Sequence, residues 1–133
     1  MRDPQINDSS TEESPFKGKT GLTRMLNACR YTAQGLTATY RNEEAFRQEV
    51  WAAVVLIPLA LLLPLAGAAK AVMIAAVVLV LIVELINSAL EAVVDRVSLE
   101  RHPLAGRAKD IGSAAVAVSI VNCVTVWLLC WFA

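Results

Sequence analysis

Residues 71–95 read AVMIAAVVLVLIVELINSALEAVVD, and this stretch decides the fold. Up to Val83 it contains no polar side chain, and beyond Glu84 one side of the pattern remains apolar. A helix needs about 20 predominantly apolar residues to cross the hydrocarbon core of a bilayer. The stretch therefore predicts a membrane-spanning helix over residues 71–97 that carries polar side chains in its second half.

Two further apolar stretches flank this helix. Residues 50–66 and 111–131 contain no charged side chain, and Val, Leu, Ile and Ala dominate both. Pro58 and Pro64 are compatible with a transmembrane helix. Residues 67–70 are predicted to form a tight turn between the first two spans. The pattern as a whole predicts an all-α membrane protein with three spans, over about 50–66, 71–97 and 111–131.

Charged residues are concentrated outside these spans. Residues 1–20 are polar and rich in Ser, Thr and Glu, which predicts a disordered tail. Between residues 21 and 49, apolar residues recur at helical spacing with arginines between them, which predicts an amphipathic surface helix with candidate breaks near Gly35 and Asn42. A soluble helix packed on a core is the alternative, but no other soluble core is predicted. The 12 basic and 12 acidic residues balance, so composition gives no reason to expect nucleic-acid binding.

Lysine and arginine are distributed unequally around the spans. The segment before the first span and the connection between the second and third are rich in both, whereas the first connection contains only Lys70. Cytoplasmic segments carry an excess of Lys and Arg near the ends of spans. The N-terminus and the second connection are therefore predicted to be cytoplasmic, and the C-terminus to lie outside.

The second half of the span 71–97 presents a stripe of carboxylates. At about 100° per residue, Glu84, Glu91 and Asp95 fall within roughly 20° of one line, with Asn87 and Ser88 beside it. Glu84 lies roughly 16 Å deeper along the helix than Asp95. Because charges at membrane depth are costly, this stripe requires cations, polar partners or a water-filled cleft. We interpret it as a functional site that reaches from the cytosol into the membrane.

Carboxylates at two depths suit phosphoryl transfer from ATP to a lipid hydroxyl. That reaction needs a divalent ion held by carboxylates, a basic group on the phosphates and a base for the attacking hydroxyl. Glu91 is a candidate ligand for Mg²⁺, Lys109 for the phosphates, and the deeper Glu84 is a candidate base. The sequence has no Gly-rich phosphate loop, which excludes the common nucleotide-binding folds.

Two other interpretations of the stripe remain open at this level. It could solvate a helix end or pair with the arginines of the second connection, which are Arg96, Arg101 and Arg107. A deep Glu84 is equally compatible with a proton-coupled transporter.

Three blocks of the sequence carry a resemblance to a known family. They are residues 84–96 (ELINSALEAVVDR), 106–116 (GRAKDIGSAAV) and 42–49 (NEEAFRQE), and the spacing between them agrees as well. Together they resemble the prokaryotic diacylglycerol kinases, from about residue 21 to the C-terminus. The resemblance implies a multi-pass protein of the bacterial inner membrane, in contact with membrane lipids. It also implies a homotrimer of three-span subunits, each with a surface helix, whose active sites are shared between neighbours.

The resemblance implies a role for each of several residues. ATP is expected to be the phosphate donor, Mg²⁺ the cofactor and diacylglycerol the substrate. Glu84 is expected to accept the hydroxyl proton, and the metal ligands are expected to be Glu43 and Glu91. Nucleotide contacts are expected from both metal ligands and from Arg24, Tyr31, Glu100, Arg101, His102, Lys109 and Asp110. Lipid contacts are expected from Arg24, Phe46, Arg47, Gln48, Glu49, Glu84 and Ser113, and supporting roles from Asn87 and Asp95.

Two rival functions are distinguishable by experiment. An undecaprenol kinase is the closest enzymatic alternative because it has the same architecture. A small membrane transporter or scaffold is the alternative from another class. Lipid-dependent ATP turnover separates an enzyme from a transporter, and a comparison of the two lipids separates the kinases.

Overall fold

The computed structural model describes residues 21–97 and 102–132 of the chain. Over these ranges it consists of four helices and no strand: α1 (Leu22–Asn42), α2 (Glu44–Leu62), α3 (Gly67–Val97) and α4 (Pro103–Phe132). The all-α prediction is therefore confirmed. The predicted N-terminal tail lies outside the described residues, as do the predicted nucleotide contacts Glu100 and Arg101.

Three of these helices are long and apolar enough to cross a membrane. They are α2, α3 and α4, which correspond to the three predicted spans. Pro58 lies inside α2 without ending it, as expected for a transmembrane helix.

The structure corrects the boundary between the predicted surface helix and the first span. The surface helix was predicted over residues 21–49 with candidate breaks near Gly35 and Asn42. The break at Asn42 is confirmed, since α1 ends there and α2 begins at Glu44, whereas α1 runs through Gly35 without a break. Glu43 separates them in an extended conformation, with φ −108° and ψ 114°. The first apolar span therefore belongs to a helix that already begins in the charged segment.

The predicted turn over residues 67–70 is wrong, since these residues form the first turn of α3. The chain reverses earlier, between the end of α2 at Leu62 and Gly67. Leu63 is extended, with φ −63° and ψ 144°, and it precedes Pro64. Proline disfavours the helical conformation of the residue before it, which explains the earlier end. Similarly, α4 begins at Pro103 rather than at residue 111, with proline at its first position.

The chain divides into two compact units, Met1–Gly35 and Leu36–Ala133. In the first unit the structure describes the beginning of α1, whose apolar side chains Leu22, Met25 and Leu26 are exposed. Gly21 precedes the helix with φ +55°, a backbone conformation that residues other than glycine rarely adopt.

In the second unit, α3 packs against both α2 and α4. The buried side chains are Phe46, Ala53 and Ala60 of α2, Met73, Ala76, Val77, Val80 and Glu84 of α3, and Ser119 of α4. Small residues among them allow the helix backbones to approach closely. The Trp127 indole N–H donates to the carbonyl of Met73 at 3.2 Å, which joins the end of α4 to the beginning of α3.

Candidate active site

One face of α3 carries the predicted polar stripe, and its exposure changes along the helix. Glu84 is 4% exposed and is the buried carboxylate of the described residues. Asn87 and Glu91 are half-buried, and Asp95 is exposed. The deepest acid of the stripe is thus enclosed by protein, whereas the acid nearest the helix end contacts solvent.

Asn87 orients the next acid of the stripe. Its side-chain amide donates to Glu91 Oε1 at 3.3 Å, one helical turn away. Its other polar atom, Oδ1, is buried without a hydrogen-bond partner. That oxygen lies against Gly112 of α4, at a place where a Cβ atom would collide with it. The close approach of α4 at Gly112 therefore fixes the position of the Asn87 amide.

Glu43, at the corner between α1 and α2, belongs to the same cluster. Its carboxylate lies close enough to Glu84 to interact electrostatically, as does that of Glu91. Glu49, in α2, interacts in the same way with Glu84. Three carboxylates, from two helices and a corner, thus surround one buried acid. Such a cluster repels itself and favours the binding of a cation.

A lysine of α4 completes the cluster. Lys109 Nζ lies 3.0 Å from Asp95 Oδ1 and 3.3 Å from Oδ2. It also interacts electrostatically with Glu91 and Glu43. An alternative interpretation had Asp95 pair with arginines of the second connection. The observed partner is instead Lys109, the residue that was expected to contact the phosphates.

The donor set fits a magnesium ion. Glu43 and Glu91 offer hard carboxylate oxygens, and the hydrogen bond from Asn87 orients one of them. Among the described residues no group of three or more His, Cys, Asp or Glu side chains is arranged to hold a metal by itself. Protein sites for Mg²⁺ commonly supply one or two carboxylates, and substrate phosphates and water complete the shell.

A cavity of about 290 Å³ opens beside Glu49, between α2, α3 and α4. Its walls are almost entirely apolar, and the lining residues are Gln48, Glu49, Ala52, Leu56, Val77, Val80, Leu81, Ile120, Cys123 and Val124. Glu49 Oε2 is buried without a hydrogen-bond partner. The cavity is therefore an apolar volume that opens next to the carboxylate cluster.

The other predicted site residues occupy varied places. Phe46 is 4% exposed and belongs to the packed core of α2. Ser113 and Asp110 are exposed on α4. His102 Nδ1 accepts the backbone N–H of Leu104 at 3.2 Å and so caps the beginning of α4.

Arg24 and Tyr31, which were expected to contact the nucleotide, belong to the first unit.

Three contacts at this site were missed by the sequence reasoning. They are the close approach of Gly112 to Asn87, the interaction of Glu49 with Glu84, and the hydrogen bonds of Arg47. The only sequence signal for the first was the run of small residues at positions 112–115. Glu49 and Arg47 were expected at the site by resemblance, but not with these partners.

Comparisons with known proteins find similar sequences in one family. The family model described as prokaryotic diacylglycerol kinase matches residues 30–131. A protein of Pseudomonas aeruginosa named diacylglycerol kinase is 57% identical over 114 residues, which cover 86% of this chain and 93% of that protein. The diacylglycerol kinase of Escherichia coli K12 is 47% identical over 84% of this chain and 93% of its own length. That of Helicobacter pylori strain 26695 is 39% identical over 90% and 89%.

Proposed function

This chain belongs to the prokaryotic diacylglycerol kinase family and is a diacylglycerol kinase, and from that premise we propose how its residues perform the reaction. The γ-phosphate of ATP is transferred to the free hydroxyl of diacylglycerol, which yields phosphatidic acid and ADP. The observation that carries the proposal is that Glu43 and Glu91 interact electrostatically both with the buried Glu84 and with Lys109.

Glu84 is the proposed general base. The hydroxyl oxygen forms a bond to the γ-phosphorus as the bond between that phosphorus and the β–γ bridging oxygen breaks. The bridging oxygen stays on ADP, which is the leaving group. The hydroxyl proton passes to the Glu84 carboxylate. A base has to lie within hydrogen-bond reach of the proton that it removes. The burial of Glu84 supports this role, because a lipid hydroxyl approaches from the membrane rather than from water.

Glu43 and Glu91 are the proposed ligands of Mg²⁺. When bound there, the ion supplies neutralisation of the charge on the phosphate oxygens. Asn87 holds one Glu91 oxygen, which leaves the other free to bind. Lys109 is the proposed phosphate contact, and Asp95 holds its ammonium group in place before the nucleotide binds.

The cavity beside Glu49 is the proposed place for the glycerol end of the lipid. Its apolar walls suit an acyl chain, and Glu49 at its edge interacts electrostatically with Glu84, so a lipid bound there has its free hydroxyl near the proposed base. The expected lipid contacts Gln48 and Glu49 both line this cavity.

The assembly and the setting are proposals as well. We place the protein in the bacterial inner membrane as a homotrimer, with its N-terminus in the cytoplasm and its active sites shared between subunits. The distribution of Lys and Arg supports the orientation. The homotrimer with shared sites is proposed from membership of the family.

The assay that tests this function uses the purified chain in detergent micelles with γ-labelled ATP. Diacylglycerol, undecaprenol and no lipid are compared in the presence of Mg²⁺. Label incorporation into diacylglycerol at a much higher rate than into undecaprenol is expected. A preference for undecaprenol would overturn the choice of lipid, and the absence of any lipid-dependent turnover would overturn the kinase mechanism.

A further inference from the structure

The corner between α1 and α2 consists of a single extended residue, Glu43. Backbone hydrogen bonds hold it on both sides. The Glu43 N–H donates to the carbonyl of Thr39 at 2.8 Å, and the Arg47 N–H donates to the carbonyl of Glu43 at 3.3 Å. The direction in which the Glu43 carboxylate leaves the corner therefore depends on how α1 and α2 are joined.

The Arg47 side chain spans this corner. Its Nη1 atom donates to the carbonyl of Tyr40 at 3.2 Å and to that of Arg41 at 3.1 Å. Both carbonyls belong to the last turn of α1, where a helix has no N–H groups left to satisfy them. A positive charge at this end of a helix is also favoured by the helix dipole. Arg47 thus ties the first turn of α2 to the last turn of α1, directly across Glu43.

This contact between α1 and α2 affects the position of the Glu43 carboxylate in the cluster. Glu43 is the only residue between the two helices, and its carboxylate interacts with Glu84 and Lys109. A change in the angle between the helices would displace this carboxylate by as much as the corner moves. The guanidinium donates to the carbonyls at the end of α1, so its loss would allow the angle between α1 and α2 to change.

We propose that Arg47 is a positioning residue, which holds the Glu43 carboxylate at the place where it binds Mg²⁺. This inference rests on the proposed function, because it takes Glu43 as a metal ligand. It differs from the role that the resemblance implies for Arg47, which is direct contact with the lipid. In the structure the guanidinium donates to protein carbonyls instead.

The two roles differ in which constant a substitution changes. A positioning residue controls metal affinity, whereas a lipid contact controls the KM for diacylglycerol. Removal of a group that orients a metal ligand typically costs about 10–100-fold in metal affinity or activity. For Arg47→Met we expect a loss of this size in affinity for the metal, with a KM for diacylglycerol within roughly threefold of the wild type.

Metal affinity is measured by Mn²⁺ paramagnetic resonance in the presence of a non-hydrolysable ATP analogue, so that the readout does not depend on turnover. Mn²⁺ is a suitable probe because carboxylate ligands bind it as they bind Mg²⁺. The matched control is Arg41→Met, which removes an exposed arginine side chain from the last turn of α1 and leaves its carbonyl in place. We expect this control to bind Mn²⁺ as the wild type does.

Arg47→Lys is measured beside it, since lysine keeps the charge and the ability to donate to a carbonyl. We expect a smaller loss than for Arg47→Met. If Arg47→Met does not fold, the lysine variant alone decides. An Mn²⁺ affinity equal to that of the wild type in the folded variant would overturn the inference, with or without a raised KM for diacylglycerol.

A third measurement separates this inference from the metal assignment on which it rests. Glu43→Gln should weaken Mn²⁺ binding, and Arg47→Met on the Glu43→Gln background should weaken it no further, because residues that act through one another are not additive. Unchanged Mn²⁺ binding in Glu43→Gln would overturn the metal assignment itself. Weak binding in Glu43→Gln together with normal binding in Arg47→Met would overturn only the role of Arg47.

Discussion

Lys109 of α4 and Asp95 of α3 form an ion pair, in which Nζ lies 3.0 Å from Oδ1 and 3.3 Å from Oδ2. The pair links the two helices at the surface end of the carboxylate stripe. The same ammonium group interacts with Glu91 and Glu43. The cation is therefore held in place beside the proposed metal site before any nucleotide binds.

We expect Lys109→Met to raise the KM for ATP by roughly tenfold or more, since a hydrogen bond to a charged phosphate is lost. Lys70→Met is the matched control. It removes a lysine from the first turn of α3, where Nζ donates to the carbonyl of Leu61 at 2.8 Å. Steady-state kinetics with varied ATP measure both variants. An unchanged KM for ATP in Lys109→Met would remove the lysine from the nucleotide site.

Asp95→Asn tests whether the pair positions the lysine. The amide keeps the size of the side chain but attracts Lys109 less strongly, so a rise in the KM for ATP smaller than that of Lys109→Met is expected. The rise should vanish on the Lys109→Met background. A full effect of Asp95→Asn in the absence of Lys109 would indicate a separate function for Asp95.

The metal assignment predicts a difference between one acid of α3 and one of α2. Glu91→Gln should raise the Mg²⁺ concentration for half-maximal turnover by about tenfold or more, because a ligand oxygen loses its charge. Glu44→Gln, which removes an exposed acid from the first turn of α2, should leave it unchanged. Turnover is titrated with Mg²⁺ at saturating ATP and lipid. Equal responses of the two variants would contradict the assignment.

The contact of Gly112 with Asn87 predicts opposite effects at two helical glycines of α4. A Cβ atom at Gly112 would collide with Asn87 Oδ1 and lie 3.3 Å from Leu90 Cδ2. Gly112→Ala should therefore destabilise the protein by about 1–3 kcal/mol. It should also raise the Mg²⁺ requirement, since the displaced Asn87 amide no longer orients Glu91.

Gly106 is the matched control, because an added Cβ atom meets nothing within 4 Å there. Gly106→Ala should stabilise the helix by about 0.5–1 kcal/mol. Thermal unfolding in one detergent, with a Mg²⁺ titration of turnover, measures both variants. A Gly112→Ala protein as stable and active as Gly106→Ala would show that the amide has room to move.

The sequence was sufficient to predict the three spans, because their apolar lengths leave no other environment for them. It failed at the first turn, where Pro64 ends the helix by restricting Leu63 rather than by its own position. Helical periodicity correctly placed Glu84, Asn87, Glu91 and Asp95 on one face of α3, since that relationship is local.

Contacts between elements were beyond the reach of periodicity. The pairing of Lys109 with Asp95 depends on the register of α4 against α3. The approach of Glu43 to Glu84 depends on the corner at Glu43, which the hydrogen bonds of Arg47 span. Only the resemblance to a known family had suggested Glu43 as part of the site, and it did not suggest how the residue is held.

The proposed orientation predicts the labelling of single cysteines. In a variant without Cys29, Cys123 and Cys130, a cysteine at Ala66 should react from outside with a membrane-impermeant maleimide. A cysteine at Leu104, at the exposed beginning of α4, should react only after the membrane is permeabilised. The reverse pattern would place the N-terminus outside and would separate the proposed site from cytoplasmic ATP.

Glu84→Gln separates a catalytic role from a structural one, because the two predict opposite combinations of activity and stability. Glu84 is buried and faces the negative charges of Glu43 and Glu91. Replacement by a neutral side chain of the same size removes this repulsion, so the variant should be at least as stable as the wild type. The general base is lost, however, so the chemical step should slow by roughly 10²-fold or more.

Single-turnover phosphorylation of diacylglycerol, beside a thermal unfolding curve in the same detergent, measures both quantities. Glu44→Gln again serves as the control, with wild-type values expected for both. ATP binding by Glu84→Gln should remain normal, since it does not depend on the proton transfer. A stable variant with near-normal turnover would exclude Glu84 as the base.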